Sequence, residues 1–121
     1  MALKRCIALV IGNSHYDEDY YKDLANPLNE ADAMARVFSK LKCEVLLGKD
    51  LTHKEYVTIF DCFLQKIQDA KTDAAIIYFA GHGLNINAQD CLIMKDTPPY
   101  EMGKVGIIDL SVSINKICQN L

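Results

Sequence analysis

The residues most able to do chemistry are a histidine and the two glycines that flank it. Gly81-His82-Gly83 comes directly after an apolar run that ends at Ala80. Glycine lets the chain turn tightly there and lets other groups approach the backbone closely. An imidazole can accept and release a proton near neutral pH, as a general base must, and the unhindered N–H of Gly83 could stabilise an oxyanion. The tripeptide alone is equally compatible with a tight turn that carries an exposed histidine.

The two other histidines carry weaker signals. His15 lies in a polar loop, where a histidine is usually solvated, and His53 lies in the first turn of a predicted helix, where a structural role is expected. No two of the three histidines have the short spacing of a zinc motif. The sequence therefore predicts no metal site.

The five cysteines are an odd number at irregular spacing and contain no C-x-x-C pair. Neither a complete disulfide framework nor a zinc site is indicated. Because buried cysteine behaves as a small hydrophobic residue, we expect most of the five to be reduced core residues.

The apolar runs that must position these residues are typical of buried strands. Strands are predicted at Lys4 to Ile11, Cys43 to Leu47 and Asp73 to Ala80, with a short fourth strand at Cys91 to Met94. The stretch Ser14 to Ala25 is rich in acidic residues and tyrosine and has no clear period, so we predict a surface loop there.

Capping residues and apolar spacing predict three helices between and after these strands. Asn26 is predicted to cap the first, with Pro27 at its first position and an end near Lys40. Thr52 and Glu55 form the T-x-x-E capping box of the second. Its predicted buried stripe is Tyr56, Ile59, Phe60, Phe63 and Ile67. Asp109 is predicted to cap a last helix, whose apolar residues Leu110, Ile114, Ile117 and Leu121 share one face.

Continuously apolar strands that alternate with helices predict a three-layer α/β sandwich, in which a mainly parallel sheet has helices on both faces. We expect residues 1–121 to form a single domain. Ligand sites in such sheets lie beyond the carboxyl ends of the strands, here Gly12 to His15, Gly48 to Asp50 and Gly81 to Gly83. A doubly wound nucleotide-binding domain has the same element order, but Gly12 to Tyr16 matches no phosphate-binding loop.

The composition excludes several classes of function. With 13 basic and 16 acidic residues the formal net charge is -3, and no basic stretch suggests nucleic-acid binding. The longest apolar runs are too short to cross a bilayer, and the N-terminus lacks a long apolar region. We therefore expect a soluble cytoplasmic protein that binds neither nucleic acid nor membrane.

Three segments of the chain form a recognisable set: I-A-L-V-I-G-N at Ile7 to Asn13, L-A-N-P-L-N-E-A at Leu24 to Ala31, and I-I-Y-F-A-G-H-G at Ile76 to Gly83. Together they resemble the caspase-like cysteine proteases, most closely the paracaspases and metacaspases. Cys91 to Asp96 resembles the strand and aspartate that follow the histidine in that family. The likeness covers essentially the whole chain in the family's order and is that of the large-subunit, p20-like region.

The resemblance implies a cysteine–histidine dyad that cleaves protein or peptide substrates through an acyl-enzyme and needs no cofactor. His82 would be the general base and acid, and the Gly83 N–H half of the oxyanion hole. Glu30 falls where the family usually has an aspartate that holds a basic substrate side chain, which implies cleavage after Arg or Lys. Alternatively, Glu30 only benefits from the dipole of the first helix.

The resemblance also places the cysteine nucleophile roughly 50 residues after the histidine, beyond Leu121. Cys118 lies in a helical pattern, Cys91 follows the histidine too closely, and Cys6, Cys43 and Cys62 precede it. We therefore expect a truncated domain that is inactive alone and needs its missing C-terminal part or a second protease chain. An open sheet edge would favour self-association. The alternative is a non-catalytic caspase-like binding or regulatory module.

Overall fold

The computed structural model describes residues 5–99 and 107–121. One sheet contains β1 (Cys6–Gly12), β2 (Glu44–Lys49) and β3 (Ala74–Ala80), and a second contains β4 (Gly83–Ile86), β5 (Gln89–Ile93) and β6 (Ile107–Asp109). The helices are α1 (Pro27–Lys40), α2 (His53–Asp69) and α3 (Leu110–Asn120). Within the described ranges, no helix has the length and apolar character that crossing a membrane requires.

The first sheet is parallel, with strand order β2-β1-β3. The central strand β1 is buried at every residue, as its continuous apolar run predicts. Its last residue, Gly12, lies opposite Lys49 of β2 and Ala80 of β3. The three strands therefore end at the same edge of the sheet, and the segments that follow them meet there.

Alternate residues of β1 face opposite helical layers. Ala8 and Val10 pack with Ala31 of α1 on one face of the sheet. Ile7, Leu9 and Ile11 pack on the other face with the buried stripe of α2, and Ile117 of α3 belongs to the same cluster. The predicted three-layer α/β arrangement is confirmed.

The caps of α2 and α3 form as predicted, while that of α1 does not. At α2, Thr52 Oγ1 accepts from the Glu55 N–H at 3.2 Å and Glu55 Oε1 accepts from the Thr52 N–H at 3.0 Å. Asn26 occupies the N-cap position of α1, but its side chain makes no capping bond. Ser14 Oγ accepts from the Leu28 N–H at 3.2 Å instead, so the loop before α1 supplies the cap.

The apolar face predicted for α3 is only partly buried. Asp109 caps this helix by accepting from the Ser111 N–H at 3.0 Å. Ile117 is buried, whereas Ile114 is 43% and Leu121 59% exposed. Ser113 is buried because its Oγ bonds to the hydroxyl of Tyr56, and the helix turns that polar position toward α2.

The second sheet was not predicted as a separate unit. The predicted fourth strand corresponds to β5, but β4 precedes it and pairs with it in an antiparallel hairpin. Asn87 and Ala88 form the turn with φ of 50° and 66°. Both are in the left-handed conformation that two-residue hairpin turns favour, and alanine at the second position hides the usual Asn-Gly signal.

The expectation for the cysteines is wrong for most of them. Cys6 and Cys43 form a disulfide across 37 residues, with their Cα atoms 4.5 Å apart. Cys62 and Cys118 are exposed on α2 and α3, and Cys91 is the one buried thiol in the described part of the chain. The pairing could not be read from spacing, because it depends on β1 and β2 being neighbours in the sheet.

Candidate active site

The sheet edge where β1, β2 and β3 end brings the candidate residues together. His82 follows β3, Asn13 follows β1 and Asp50 follows β2. The Asn13 N–H donates to the Ala80 carbonyl oxygen at 2.9 Å, and the Asp50 N–H donates to the Gly12 carbonyl oxygen at 2.9 Å. The three strand ends are therefore joined to one another beyond the last ladder positions.

His82 is held both through its backbone and through its ring. Its N–H donates to Tyr16 Oη at 2.8 Å, and its carbonyl oxygen accepts from the Ile93 N–H at 3.1 Å. On the ring, Nε2 lies 2.7 Å from the carbonyl oxygen of Lys22. The imidazole is partly exposed, so it remains accessible while its orientation is fixed.

The Lys22 carbonyl decides which ring nitrogen is basic. A carbonyl oxygen only accepts hydrogen bonds, so the bonded Nε2 must carry the proton. In the neutral imidazole the lone pair then resides on Nδ1. Nδ1 of His82 is therefore the atom that could take a proton from a nucleophile.

Aromatic rings flank the imidazole. The ring centroid of Tyr16 is 4.8 Å and that of Tyr21 is 6.1 Å from the centroid of His82, with interplanar angles of 60° and 42°. Both tyrosines are buried, at 8% and 5% exposure. They fix one side of the imidazole.

The N–H of Gly83 points away from the neighbouring strand β5. The bond from the Ile93 N–H to the His82 carbonyl makes those two residues a hydrogen-bonded pair of the β4–β5 hairpin. Such pairs alternate with non-hydrogen-bonded ones, so Gly83, opposite Leu92, directs its N–H away from β5. Gly83 itself is exposed.

Gly81 is required by its surroundings. A Cβ atom on this residue would lie 2.8 Å from Tyr16 Oη and 2.9 Å from the ring of Phe79. Any side chain there would displace the groups that hold His82. The first glycine of the Gly-His-Gly segment thus serves the packing around the histidine.

The segment predicted as a surface loop is tied down at several points. The Asp17 N–H donates to the Lys95 carbonyl oxygen at 2.9 Å and the Leu24 N–H to the Ser14 carbonyl oxygen at 2.8 Å. Tyr21 Oη donates to the Pro98 carbonyl oxygen at 3.2 Å. The prediction of a simple surface loop is therefore wrong, because the segment contains buried residues such as Tyr16 and Tyr21. These hydrogen bonds produce no periodic pattern in the sequence, and the acidic composition suggested exposure to solvent.

Two carboxylates organise this loop. Asp50 Oδ1 accepts from the N–H groups of Ser14 at 2.8 Å and His15 at 3.0 Å. Asp23 Oδ1 accepts from the Tyr16 N–H at 3.0 Å, and its Oδ2 lies 3.2 Å from His15 Nδ1. The Tyr16 N–H, and secondarily the His15 side chain, lower the pKa of Asp23.

The bonds of Asp50 also argue against the nucleotide-binding alternative. Phosphate-binding loops present free N–H groups to an anion at the end of the first strand. Here two of those N–H groups already bind the carboxylate of Asp50. A phosphate at this edge would have to compete with that negative charge.

Glu30 lies in the first turn of α1 and is exposed. Its N–H donates to the Asn26 carbonyl oxygen at 2.9 Å. Among residues 5–99 and 107–121 its carboxylate forms no ion pair. Helix α1 is joined to the loop after β1 by the bond from the Leu28 N–H to Ser14 Oγ. In the described residues no hydrogen bond joins Glu30 to His82.

None of the five cysteines is a hydrogen-bond partner of His82 in the described residues. Cys6 and Cys43 are joined to each other, and Cys62 and Cys118 lie on the helices α2 and α3. Cys91 is buried, and its Sγ lies 3.7 Å from the Gln89 carbonyl oxygen. In the same ranges no group of three or more His, Cys, Asp or Glu residues is arranged to hold a metal ion.

The structure adds two groups to the site that sequence reasoning missed, Tyr16 and the Lys22 carbonyl. The acidic neighbours of Tyr16 suggested solvent, and only the three tyrosines between positions 16 and 21 hinted at an aromatic cluster. A backbone carbonyl has no signal in the sequence at all. Asp96, which the family resemblance included, caps α2, since its Oδ1 accepts from the His53 N–H at 2.8 Å.

Comparison with known proteins identifies the family of the chain. No curated protein matches the chain. The model of the caspase domain, peptidase family C14, matches residues 5–118. That range includes the parallel sheet, the three strand ends and nearly all of α3. The resemblance to caspase-like proteases is confirmed, and the chain belongs to the caspase-domain family of peptidases.

Proposed function

We propose that this chain is the histidine-bearing part of a caspase-like cysteine endopeptidase, with His82 as general base and acid and the Gly83 N–H as an oxyanion donor. The observation that carries the proposal is the 2.7 Å separation between His82 Nε2 and the Lys22 carbonyl oxygen. It leaves Nδ1 as the basic atom on a partly exposed ring, which general-base catalysis needs.

The proposed reaction combines His82 and Gly83 of this chain with a cysteine thiol supplied from elsewhere. Nδ1 of His82 takes the thiol proton, and the thiolate attacks the peptide carbonyl carbon to form a carbon–sulfur bond. The oxyanion of the tetrahedral intermediate binds the Gly83 N–H. The imidazolium, stabilised at Nε2 by the Lys22 carbonyl, gives its proton to the amine as the peptide carbon–nitrogen bond breaks. Water activated by Nδ1 then hydrolyses the acyl-enzyme.

The thiol would come from polypeptide outside this chain, either its continuation or a second protein. The support is the placement of the five cysteines, since two are joined in a disulfide, two lie on outer helices and Cys91 is buried in β5. We expect the 121-residue chain alone to be inactive. Membership of the caspase-domain family is consistent with protein substrates and with assembly from more than one chain.

We further propose that Glu30 binds the basic side chain of a substrate, as in the paracaspases and metacaspases. Its exposed carboxylate has no ion-pair partner among the described residues, so it could accept a charge-assisted hydrogen bond from Arg or Lys. The competing explanation is a favourable interaction with the N-terminus of α1, which any acidic residue there would have.

Cleavage of fluorogenic peptides that end in Arg, Lys or Asp tests this function. The chain should be assayed alone and together with any sequence that follows Leu121 in its gene. We expect cleavage after Arg or Lys in the longer form, loss of cleavage in His82→Ala, and a KM raised at least about tenfold in Glu30→Gln. Glu18→Gln, an exposed glutamate in the loop, is the matched control and should leave KM unchanged.

A folded longer form that cleaves none of these peptides would favour the non-catalytic alternative. The observation that favours this second candidate is the absence of a thiol among the hydrogen-bond partners of the His82 ring in the described residues. A caspase-like binding or regulatory module would then retain the fold without the reaction. Such a module would be distinguished by its binding to a partner protein, because this binding should persist in His82→Ala.

A cytoplasmic location remains a prediction. The Cys6–Cys43 disulfide weighs against it, because thiols in the cytosol are normally kept reduced. Cell fractionation combined with thiol alkylation would decide the question, since a cytoplasmic protein should yield five alkylated cysteines without prior reduction.

A further inference from the structure

We propose that Tyr16 is a positioning residue for His82, which it holds through its hydroxyl at the backbone and through its ring at the imidazole. The inference rests on the proposed function, in which His82 is the general base. No sequence motif singled out Tyr16, and its role follows from its contacts.

The hydroxyl of Tyr16 bridges the ends of two strands. The His82 N–H donates to Oη at 2.8 Å, so Oη uses its own proton to donate to the Asn13 carbonyl oxygen at 3.2 Å. The last backbone bond between these strand ends runs from the Asn13 N–H to the Ala80 carbonyl oxygen at 2.9 Å. Tyr16 therefore continues the connection between β1 and β3 up to the backbone of His82.

The ring of Tyr16 fixes the imidazole from the side. The two ring centroids are 4.8 Å apart, and Tyr16 is itself packed against Tyr21 and Ile93. Lys22, whose carbonyl binds Nε2, lies six residues further along the same loop. Residues of one loop thus bind the backbone N–H of His82, pack against its ring and accept a hydrogen bond from Nε2.

The surroundings are built for the hydroxyl as well as for an aromatic ring. Phenylalanine would fill the same space, yet only the hydroxyl makes the bonds to His82 and Asn13. Gly81 lacks a Cβ at a point only 2.8 Å from Oη. Burial raises the pKa of Tyr16, so the hydroxyl keeps its proton at physiological pH and remains a donor.

The test is ¹⁵N NMR of the His82 ring in the full chain, with Tyr16→Phe compared with the unaltered protein. In the unaltered protein the neutral form of the His82 ring should be the Nε2–H tautomer. In Tyr16→Phe we expect the ratio of Nε2–H to Nδ1–H tautomer to fall about two- to tenfold, the range that corresponds to the net contribution of one hydrogen bond. Unchanged ring signals in a folded Tyr16→Phe protein would overturn the proposal.

Two other tyrosines provide matched controls. Tyr56 is also buried and its hydroxyl bonds to Ser113 Oγ at 2.9 Å, so Tyr56→Phe removes a buried hydroxyl from a core cluster different from that of Tyr16. Tyr20 lies in the same loop but is 52% exposed and packs edge-on against the ring of Tyr21. Neither Tyr56→Phe nor Tyr20→Phe should alter the His82 signals. An equal change in either control would overturn a specific role for Tyr16.

This readout separates the inference from the proposed function, because the ring signals do not depend on a thiol or on turnover. If the protein proves inactive but Tyr16→Phe changes the tautomer ratio, the proposed reaction fails and the positioning role stands. In a cleaving form, Tyr16→Phe should lower kcat about threefold to tenfold with little change in KM. Full kcat in Tyr16→Phe would overturn the positioning role while leaving the protease function intact.

Discussion

Single residues around His82 act through hydrogen bonds that cross the sheet edge. The imidazole is oriented by a carbonyl from residue 22, while its backbone is held by a hydroxyl from residue 16. The loop that supplies both groups is itself held by the carboxylates of Asp23 and Asp50. The orientation of the candidate general base therefore depends on acidic residues that do not touch it.

Asp23 makes this dependence sensitive to acid. The Tyr16 N–H, and secondarily His15, lower the pKa of Asp23 below its usual value near 4. A carboxyl whose pKa is lower in the folded than in the unfolded protein stabilises the folded loop at any pH above its unfolded-state pKa. This stabilisation is lost as the pH falls through its folded-state pKa. We expect the Tyr16 amide resonance to shift below about pH 4.

Asp23→Asn is the matched variant for this titration. The amide oxygen of asparagine still accepts from the Tyr16 N–H but does not ionise, so the acid transition of the Tyr16 resonance should disappear. The loop conformation at neutral pH should remain. The same transition in Asp23→Asn as in the unaltered protein would show that another group titrates there.

At this scale the sequence identified His82 and Gly83 as candidates but not the groups that orient them. A histidine between two glycines stands out because glycine permits a tight turn and the imidazole can transfer a proton near neutral pH. Tyr16 did not stand out, because its burial depends on contacts with His82 and Tyr21 that only the folded loop creates. The sequence also could not show that Asp23 and Asp50 bind backbone N–H groups, since acidic loops usually indicate solvent.

Among the elements, α2 receives its N-terminal cap from two parts of the chain. The capping box of Thr52 and Glu55 is local. Asp96, which follows β5, adds a third bond by accepting from the His53 N–H at 2.8 Å. The loop after β5 is also joined to Leu51, whose carbonyl oxygen accepts from the Lys95 N–H at 2.8 Å. The start of α2 therefore couples the two sheets.

Replacement of Asp96 should measure that coupling. Asp96→Ala removes both an acceptor and a negative charge from the N-terminus of α2, so we expect the free energy of unfolding to fall by about 1 kcal/mol. Asp96→Asn keeps an acceptor and should lose less. Urea denaturation followed by circular dichroism gives both values. Equal stability of Asp96→Ala and the unaltered protein would mean that the capping box alone suffices.

Helices and strands that depend on neighbouring residues were predicted correctly, whereas features that depend on residues distant in the sequence were not. The three parallel strands and the capping box of α2 follow from apolar runs and from a four-residue pattern. The cap of α1 came from Ser14, twelve positions before the predicted Asn26. The hairpin of β4 and β5 was missed because Asn87 and Ala88 adopt left-handed conformations in its turn, where a glycine would usually have indicated the hairpin.

For the molecule as a whole, the parallel sheet is unevenly covered. The central strand β1 is fully buried, whereas six of the seven residues of β3 are only partly buried. In the described part of the chain, β3 has β1 as its single strand neighbour. An apolar strand with an unpaired edge tends to add another strand.

The disulfide between Cys6 and Cys43 could not be predicted from the sequence, because it depends on how the strands are arranged in the sheet. Cys6 and Cys43 meet because β1 and β2 are neighbours and because Lys42, with φ of 67°, ends α1 in a left-handed turn. Closing a loop of this length typically contributes about 2–4 kcal/mol to stability. A count of five cysteines, odd and irregularly spaced, gave no indication of it.

The open edge of β3 predicts self-association. In sedimentation equilibrium we expect the weight-average mass of the isolated chain to exceed that of a monomer and to rise with concentration. A lysine on an edge strand opposes the addition of another strand, because pairing would bring its charge against a partner. Tyr78→Lys, in the middle of β3, should therefore weaken association by at least about tenfold.

Tyr20→Lys is the matched control for this experiment, because it makes the same chemical change at an exposed loop position that is not part of β3. It should associate like the unaltered chain, and circular dichroism should show that both variants retain the fold. If the unaltered chain were monomeric at all concentrations, the edge of β3 would not be open in solution. If Tyr20→Lys weakened association as much as Tyr78→Lys, added charge rather than blocked strand addition would be the cause.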